Sequence, residues 1–329
     1  MSKVTFLLPL KDRPEYTKIW LEHNIRSEYS YLVADGSFGD ENEALFSDIK
    51  LLNLTYVRFP KDSTIDHYVE KMFQAVGRVK TKYVMTCDND DFINFDGVIA
   101  CINALEDDSD AICAGGLIYG MTQKKSVASD LGYCLPIRLC NADHLDGKSG
   151  FDGLGRLFKN YTHMWYSIFK TEGYKKIWQD IKKLEICNVY LVEILQAQLV
   201  FCYGKYVQVE YNHYIRLQNP SSSCAKDLAL VDIPHVHKIY FDGDYRGQVL
   251  RMSEHVAKLV GVESASLLNE LKNYYVAGVV TETPSFWTKT WARLIRIHVI
   301  IPRKLHIFSI ASVIAFVNTL GRVRRTLKV

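Results

Sequence analysis

Residues 86–92 read TCDNDDF, which puts Asp88, Asp90 and Asp91 within four positions directly behind the apolar run Tyr83-Val84-Met85. Carboxylates this close repel one another unless a cation, a helix N-terminus or solvent offsets the charge. Two acids separated by one residue at a strand end can both face a hard divalent cation. Mg2+ or Mn2+ takes one or two protein carboxylates and leaves its other positions to water and phosphate oxygens. The competing reading is that Asp90 and Asp91 cap the helix that follows.

A second chemistry is offered by Glu193, mid-helix in NVYLVEILQAQLV among Leu191, Val192, Ile194 and Leu195. Desolvation there would raise its pKa and fit it to abstract a proton. Its competing reading is a surface Glu on a polar stripe with Gln196, and Glu172, Asp152 and then Glu185 are the next acids available. His213, Arg216, His235 and His237 make a further set. Arg216, expected just after a strand, carries the guanidinium fork that suits phosphate oxygens. His235 and His237 in PHVHK resemble half a zinc site with no further ligand at a suitable spacing, so they read as loop histidines, or as part of a loop closing over a bound ligand.

These side chains need elements to place them. VTFLLPL (4–10), YSYLVAD (29–35), LTYVRF (54–59), KYVMTC (82–87) and DAICAGGLIYG (110–120) read as strands. Residues 14–26, 40–49, 64–79 and 95–106 between them read as helices. Alternation of this kind predicts βαβ crossovers and a mostly parallel sheet covered on both faces. Ligands of such sheets bind outside the carboxyl ends of the strands, so Lys11-Asp12-Arg13, Asp35-Gly36-Ser37 and the acidic cluster should meet along one edge. Residues 121–165 read as a Gly-rich excursion lining that edge. MWYSIFK (164–170) reads as a strand, 171–184 and 188–204 as helices, and 205–217 as a strand. Tyr161, His163, Trp165 and Tyr166 could form a stacking platform, with Trp165 and Tyr166 on opposite strand faces.

The combination PLKDR (9–13), VADGS (33–37), the segment from Tyr68 to Phe92 and MWYSIFKTE (164–172) resembles the family-2-like GT-A glycosyltransferases of bacterial surface-polysaccharide synthesis, over about the first 220 residues. The resemblance implies a Rossmann-like GT-A domain whose Pro9, Leu10, Lys11, Arg13 and Asp35 hold the nucleotide base and ribose. It implies that Lys71 contacts the nucleotide side of the donor and that Asn89 and Arg216 belong to the same donor site. Asp88 and Asp90 would hold metal and diphosphate, with Asp90 the direct ligand, and Glu193 would be the general base. The family commonly has two acids before the Gly of DGS, whereas Ala34 takes the first place here. The implied cofactor is Mg2+ or Mn2+, the donor a nucleoside-diphosphate sugar and the acceptor a lipid-linked glycan.

The 329 residues exceed one comfortable core, and a composition 48% apolar and 23% charged is that of a folded protein. Eight cysteines without a CxxC pair read as small core residues in a reducing compartment, and no signal peptide is expected. The net charge of +3 conceals an asymmetry: residues 286–329 hold nine Lys or Arg and no acid, leaving 31 basic against 37 acidic residues, net −6, in 1–285. The expected organisation is a domain over 1–220, with nucleotide-sugar half 1–120 and acceptor half 121–220. A linker and helical segment follow over 221–285, then a basic amphipathic tail over 286–329. The uncharged stretch Ile307–Gly321 is too short to span a bilayer. The tail therefore reads as interfacial helices on anionic lipids at the cytoplasmic face of the bacterial inner membrane, or else as a packed subdomain or homodimer contact. Nucleic acid is not an expected partner. A nucleotidyltransferase and a catalytically silent membrane-attached binding protein remain alternative functions; PLKDRPEY lacks the glycine-rich loop of the former.

Overall fold

A computed structural model of the chain describes residues 2–122, 138–139, 148–159, 161–218 and 242–271. Its first half alternates as the pattern requires. Strands β1 (Val4–Leu10), β2 (Ser30–Asp35), β3 (Leu54–Arg58) and β4 (Tyr83–Thr86) are separated by helices α1 (Pro14–Asn24), α2 (Glu41–Ser47) and α3 (Ile65–Arg78). All pair in parallel, in the order β3-β2-β1-β4. There follow β5 (Phe92–Ile93), α4 (Phe95–Asp107), β6 (Ala111–Thr122), β7 (Arg138–Leu139), α5 (Gly150–Lys159), β8 (Ile168–Lys170), α6 (Thr171–Lys183), α7 (Val189–Tyr203), β9 (Lys205–Gln218) and α8 (Gly243–Val260).

The sheet continues β4-β8-β6-β9-β5, and parallel pairing does not persist through it. β8 runs antiparallel to both β4 and β6, β6 and β9 pair in parallel, and β5 closes the edge antiparallel to β9. The pleat sends successive residues of β1 to opposite faces, Phe6 and Leu8 to one apolar core and Leu7 to the other. The mixed α/β sheet is thus covered on both sides, which is why its first strands are near-continuous apolar runs.

Helix ends are set locally. Thr64 accepts from the His67 amide to start α3, and Asn188 accepts from the Tyr190 and Leu191 amides to start α7. Helix α7 is apolar nearly all round and is packed between α5, α6 and α8. In its buried run from Leu191 to Phe201, Glu193 is the one residue left half-buried.

Two expectations change. The strand over 164–170 contracts to β8, with Trp165 and Tyr166 in the turn ahead of it. The described part of the 121–165 excursion includes α5, whose Leu154, Leu157 and Phe158 join the core. Helix α8, a helical segment within 221–285, is part of the same core through Tyr245, Val249, Met252 and Val256. Cys87, Cys101 and Cys113 are buried free thiols, whereas Cys187 is exposed. The basic tail, His235 and His237 lie outside the described residues.

Candidate active site

The turns after β1 and β2 are fastened to each other. Asp12 and Arg13 both adopt left-handed backbone, with φ of 57° and 62°, a conformation unfavourable for side chains other than glycine. The Ser37 hydroxyl lies 2.7 Å from the Asp12 amide, Asp12 Oδ1 accepts from the Phe38 amide at 2.8 Å, and Asn42 donates to the Asp12 carbonyl at 3.1 Å. The Arg13 carbonyl accepts from the amides of Tyr16 and Thr17, opening α1 at Pro14. These bonds over-determine the strained pair.

Asp35, placed by the resemblance at the base and ribose, is wholly buried at the end of β2. It accepts from the Ser37 amide at 2.8 Å, from Arg58 at 2.8 Å and from the Tyr56 hydroxyl. Arg58 continues to the carbonyls of Ser37 and Gly39, so Asp35 shapes the turn from within. Lys71 calls for a correction. It is 2% exposed, forms an ion pair with Asp62, also 2% exposed, and donates to the Leu10 carbonyl at 2.8 Å. Its ammonium braces the β1–β2 turns and does not face an open surface. A methyl group on Gly36 would come within 2.5 Å of the Asp62 carboxyl, so the glycine of DGS is what lets that pair seat beneath the turn. Pro9 is half-buried, Leu10 buried and Lys11 exposed along the same edge.

At the end of β4 the three acids converge, each offering an oxygen within 4.8 Å of the others. None caps the next helix, because α4 begins at Phe95 with Asn94 at its N-cap. Asp90 Oδ2 pairs with Arg13 at 2.6 Å, Asp91 Oδ1 accepts from the Leu217 amide at 2.8 Å, and Asp88 Oδ2 accepts from the Tyr166 hydroxyl at 2.6 Å. Asn89 is turned inward, donating to Thr17 at 3.0 Å and to the Arg13 carbonyl at 3.3 Å. Tyr166 stacks on Tyr214 at 4.3 Å, and Tyr214 bonds the Asp88 amide at 2.9 Å. Burial, then the neighbouring charge of Asp90, pushes Asp88 above the usual carboxylate range; the same causes, with Asp88 added, push Asp91 up further. Arg13 and Arg216 compensate the three carboxylates only in part, and a divalent cation would supply the remainder. Asp88, Asp90 and Asp91 have the oxygen donors and the mutual spacing to hold one.

Arg216 lies within β9, not beyond it, with its guanidinium 5.2 Å from the Tyr166 ring centre. Tyr166 first, then Asp91, Asp88 and Glu193, raises its pKa, so this arginine stands between the acid cluster and α7. Glu193 is 29% exposed at the side chain. It accepts from His163 Nδ1 at 2.9 Å and from the Tyr161 hydroxyl at 3.3 Å. Burial pushes its pKa upward, but His163, Arg216 and Tyr161 outweigh it and leave the carboxyl below its ordinary range. The expected upward shift is therefore reversed. Gln196 is buried, so no polar surface stripe exists on this face. Glu172 and Asp152 are exposed acids paired with Lys175 and Lys148, and Glu185 sits at a left-handed turn where Arg251 binds its carbonyl. His213 is buried between the Gly116 amide and the Tyr166 carbonyl.

Asp62, Tyr56, Arg58 and Tyr214 carry no motif that would mark them in advance. Tyr161, His163 and Tyr166 are visible as an aromatic cluster, but their bonds to the acids depend on contacts across 30 to 80 residues.

No family model and no curated protein matches the sequence. Among solved structures, residues 1–349 of S. aureus TarS in complex with UDP-GlcNAc superpose with a TM-score of 0.55 at 13% identity, covering 84% of this chain and 73% of that one. A second structure of TarS 1–349 gives 0.49 at 12% identity, and one in complex with UDP 0.48 at 13%; each covers 83% of this chain and 89% of the other. At this identity the likeness is one of fold, the GT-A fold of glycosyltransferases.

Proposed function

We propose that the chain transfers a sugar from a nucleoside-diphosphate donor to a hydroxyl of a lipid-linked glycan with inversion at the anomeric carbon. Asp88 and Asp90 hold Mg2+ or Mn2+ against the diphosphate. A cation there stabilises the charge that develops on the leaving diphosphate without a proton transfer. The turns carrying Pro9 to Arg13 and Asp35 seat the nucleoside, and Arg216 faces the departing phosphate. On the acceptor side, deprotonation is organised at Glu193. The basic tail over 286–329 holds the enzyme at the membrane surface, where its lipid-linked acceptor lies. No helix among the described residues is long and apolar enough to cross a membrane.

The observation that carries this reading is the convergence of three carboxylates, Asp88 half-buried and Asp90 and Asp91 buried, at the carboxyl end of β4, beside the β1 and β2 turns, on a sheet that TarS shares. It is tested by thermal melting of the wild type and Asp90→Ala with UDP, Mn2+ and both. A ligand at 100 times its Kd stabilises by about 2.7 kcal/mol. UDP with Mn2+ should raise the wild-type midpoint by several degrees and leave Asp90→Ala unchanged. Stabilisation indifferent to both the cation and Asp90 would overturn the reading.

A further inference from the structure

Tyr166 is fixed at its backbone, its ring and its hydroxyl. The turn that carries it is closed by the Ser167 amide, which donates to the Met164 carbonyl at 3.0 Å. Because the Gly116 amide donates to His213 Nδ1 at 3.0 Å, the hydrogen of that ring sits on Nε2 and is given to the Tyr166 carbonyl, also at 3.0 Å. The Tyr166 ring stacks on that of the wholly buried Tyr214, with planes 17° from parallel. Its hydroxyl donates to Asp88 Oδ2 at 2.6 Å. A tyrosine so confined has given up its rotamer freedom before any ligand arrives.

The same side chain touches a carboxylate and a guanidinium that come from distant parts of the chain. Asp88 follows β4 and Arg216 belongs to β9. An ionised carboxyl can only accept, so a donor held against Oδ2 fixes the rotation of the Asp88 carboxyl. Its backbone is held as well, since the Asp88 amide donates to the Tyr214 hydroxyl at 2.9 Å. Arg216 is half-buried, lies with its guanidinium 5.2 Å from the Tyr166 ring centre, within cation–π range, and donates no hydrogen bond among the described residues. The guanidinium fork is therefore placed by an aromatic face and is not spent on the protein. A carboxyl turned by the hydroxyl of one ring and a guanidinium laid on the face of that ring take their relative position from it.

We infer that Tyr166 is a positioning residue of this site: its hydroxyl sets the Asp88 carboxylate for a divalent cation, and its ring seats Arg216 for the diphosphate. The inference rests on the transferase reading above, from which it takes the cation and the diphosphate. A hydrogen bond to a ligating carboxylate orients it, and losing such an outer partner lowers metal affinity by about 10- to 100-fold. Tyrosine suits both tasks at once, because phenylalanine has the face without the hydroxyl, and serine or threonine has the hydroxyl without the face. Tyr166 acts through Asp88 and Arg216, so its removal should be felt in ligand affinity and not only in the stability of the fold.

Two variants of the full chain test it, with Mn2+ binding followed by electron paramagnetic resonance and UDP titrated at saturating Mn2+. Tyr166→Phe keeps the stack and the face under Arg216 and removes only the hydroxyl. It should raise the Mn2+ Kd by about 10- to 100-fold, with the UDP Kd at saturating Mn2+ changed less than about threefold. Tyr166→Leu removes the face as well and should also raise the UDP Kd, by about 10-fold, the order of one charge-assisted hydrogen bond lost. In an Asp88→Asn background the effect of Tyr166→Phe on Mn2+ should vanish, because it passes through Asp88. A Mn2+ Kd for Tyr166→Phe within about threefold of the wild type, or an effect that persists undiminished in Asp88→Asn, overturns the inference and leaves the transferase reading standing. A tyrosine that only supports the fold would lower the melting midpoint and leave the Mn2+ Kd unmoved. Wild-type protein that binds no Mn2+, with UDP or without it, would refute the cation-dependent transferase reading and the inference with it.

Discussion

Replacing Lys71 by Met should destabilise the chain far more than it affects donor binding. Lys71 and Asp62 are each 2% exposed, and the ammonium is the cation that offsets the Asp62 carboxylate beneath Gly36. Removing one partner of a buried pair strands the other charge, at a cost of about 3–5 kcal/mol. The Leu10 carbonyl keeps a partner in the Gly36 amide at 3.0 Å, so the loss is mainly electrostatic. At about 2–4 °C per kcal/mol for a domain of this class, the melting midpoint should fall by about 6–20 °C. Asp62→Asn added to Lys71→Met should recover more than half of that.

The pH dependence carries its own sign. Burial pushes Asp62 above its ordinary range and Lys71 pulls it back, so without Lys71 the folded-state pKa rises further above the unfolded value. The penalty in Lys71→Met is then present above that pKa and relieved below it, and the deficit should be smaller at pH 5 than at pH 8. Melting curves of the wild type and both variants at the two pH values are sufficient. A midpoint within about 2 °C of the wild type, combined with weakened UDP binding, would refute the bracing role and return Lys71 to the donor surface.

Asp91→Asn keeps an acceptor for the Leu217 amide and removes one charge from the cluster. Because burial and the charges of Asp90 and Asp88 raise the Asp91 pKa, its ionised form costs stability at neutral pH. The variant should therefore melt above the cation-free wild type at pH 7, by a margin that shrinks as the pH falls; a lower midpoint would show that the cluster is already compensated. Burial lowers the His213 pKa to about 4, so its contribution is complete above the unfolded value of about 6.5 and is lost as the pH falls through the window between them. Denaturant titrations should show about 2–3 kcal/mol of acid loss by pH 4.5 that is absent in His213→Asn, and equal losses in the two proteins would place the titration elsewhere.

What could be read in advance was whatever depends on neighbours in sequence. The runs at 4–10, 29–35, 54–59 and 82–87 are strands because both faces of a parallel sheet are buried, and the pattern needs no partner to be visible. The meeting of PLKDR, DGS and DNDD along one edge followed from the direction of those strands alone. Long-range partners were not legible. Whether Asp35 faces a ligand or its own frame depends on Arg58, 23 residues away, and the pKa of Glu193 depends on His163, 30 residues away, with a ring whose bond reverses the shift that an apolar helix predicts. The mixed half of the sheet was hidden for a related reason: β5 and β8 are two and three residues long, too short for any periodicity.

The buried acids of this edge differ in how they are compensated, and that difference locates the chemistry. Asp35 has Arg58, a tyrosine hydroxyl and an amide, and Asp62 has Lys71. Both can stay charged without a ligand because the folded chain itself supplies the opposing groups. The cluster at β4 has three carboxylates, one direct ion pair through Arg13, and Arg216 held off over the Tyr166 ring. Counted as formal charges, two cations leave it one negative charge in excess. A divalent cation would reverse that to one positive charge, and a diphosphate would then find an attractive field where the protein alone repels it. The raised pKa values of Asp88 and Asp91 express the same imbalance from the side of the protein. A site built only to stabilise the fold would gain by replacing one of these acids with an amide. Retaining all three fits a cluster completed by a metal ion and its phosphate ligand, which is why Asp91→Asn should strengthen the cation-free fold while Asp90→Ala abolishes the response to UDP and Mn2+.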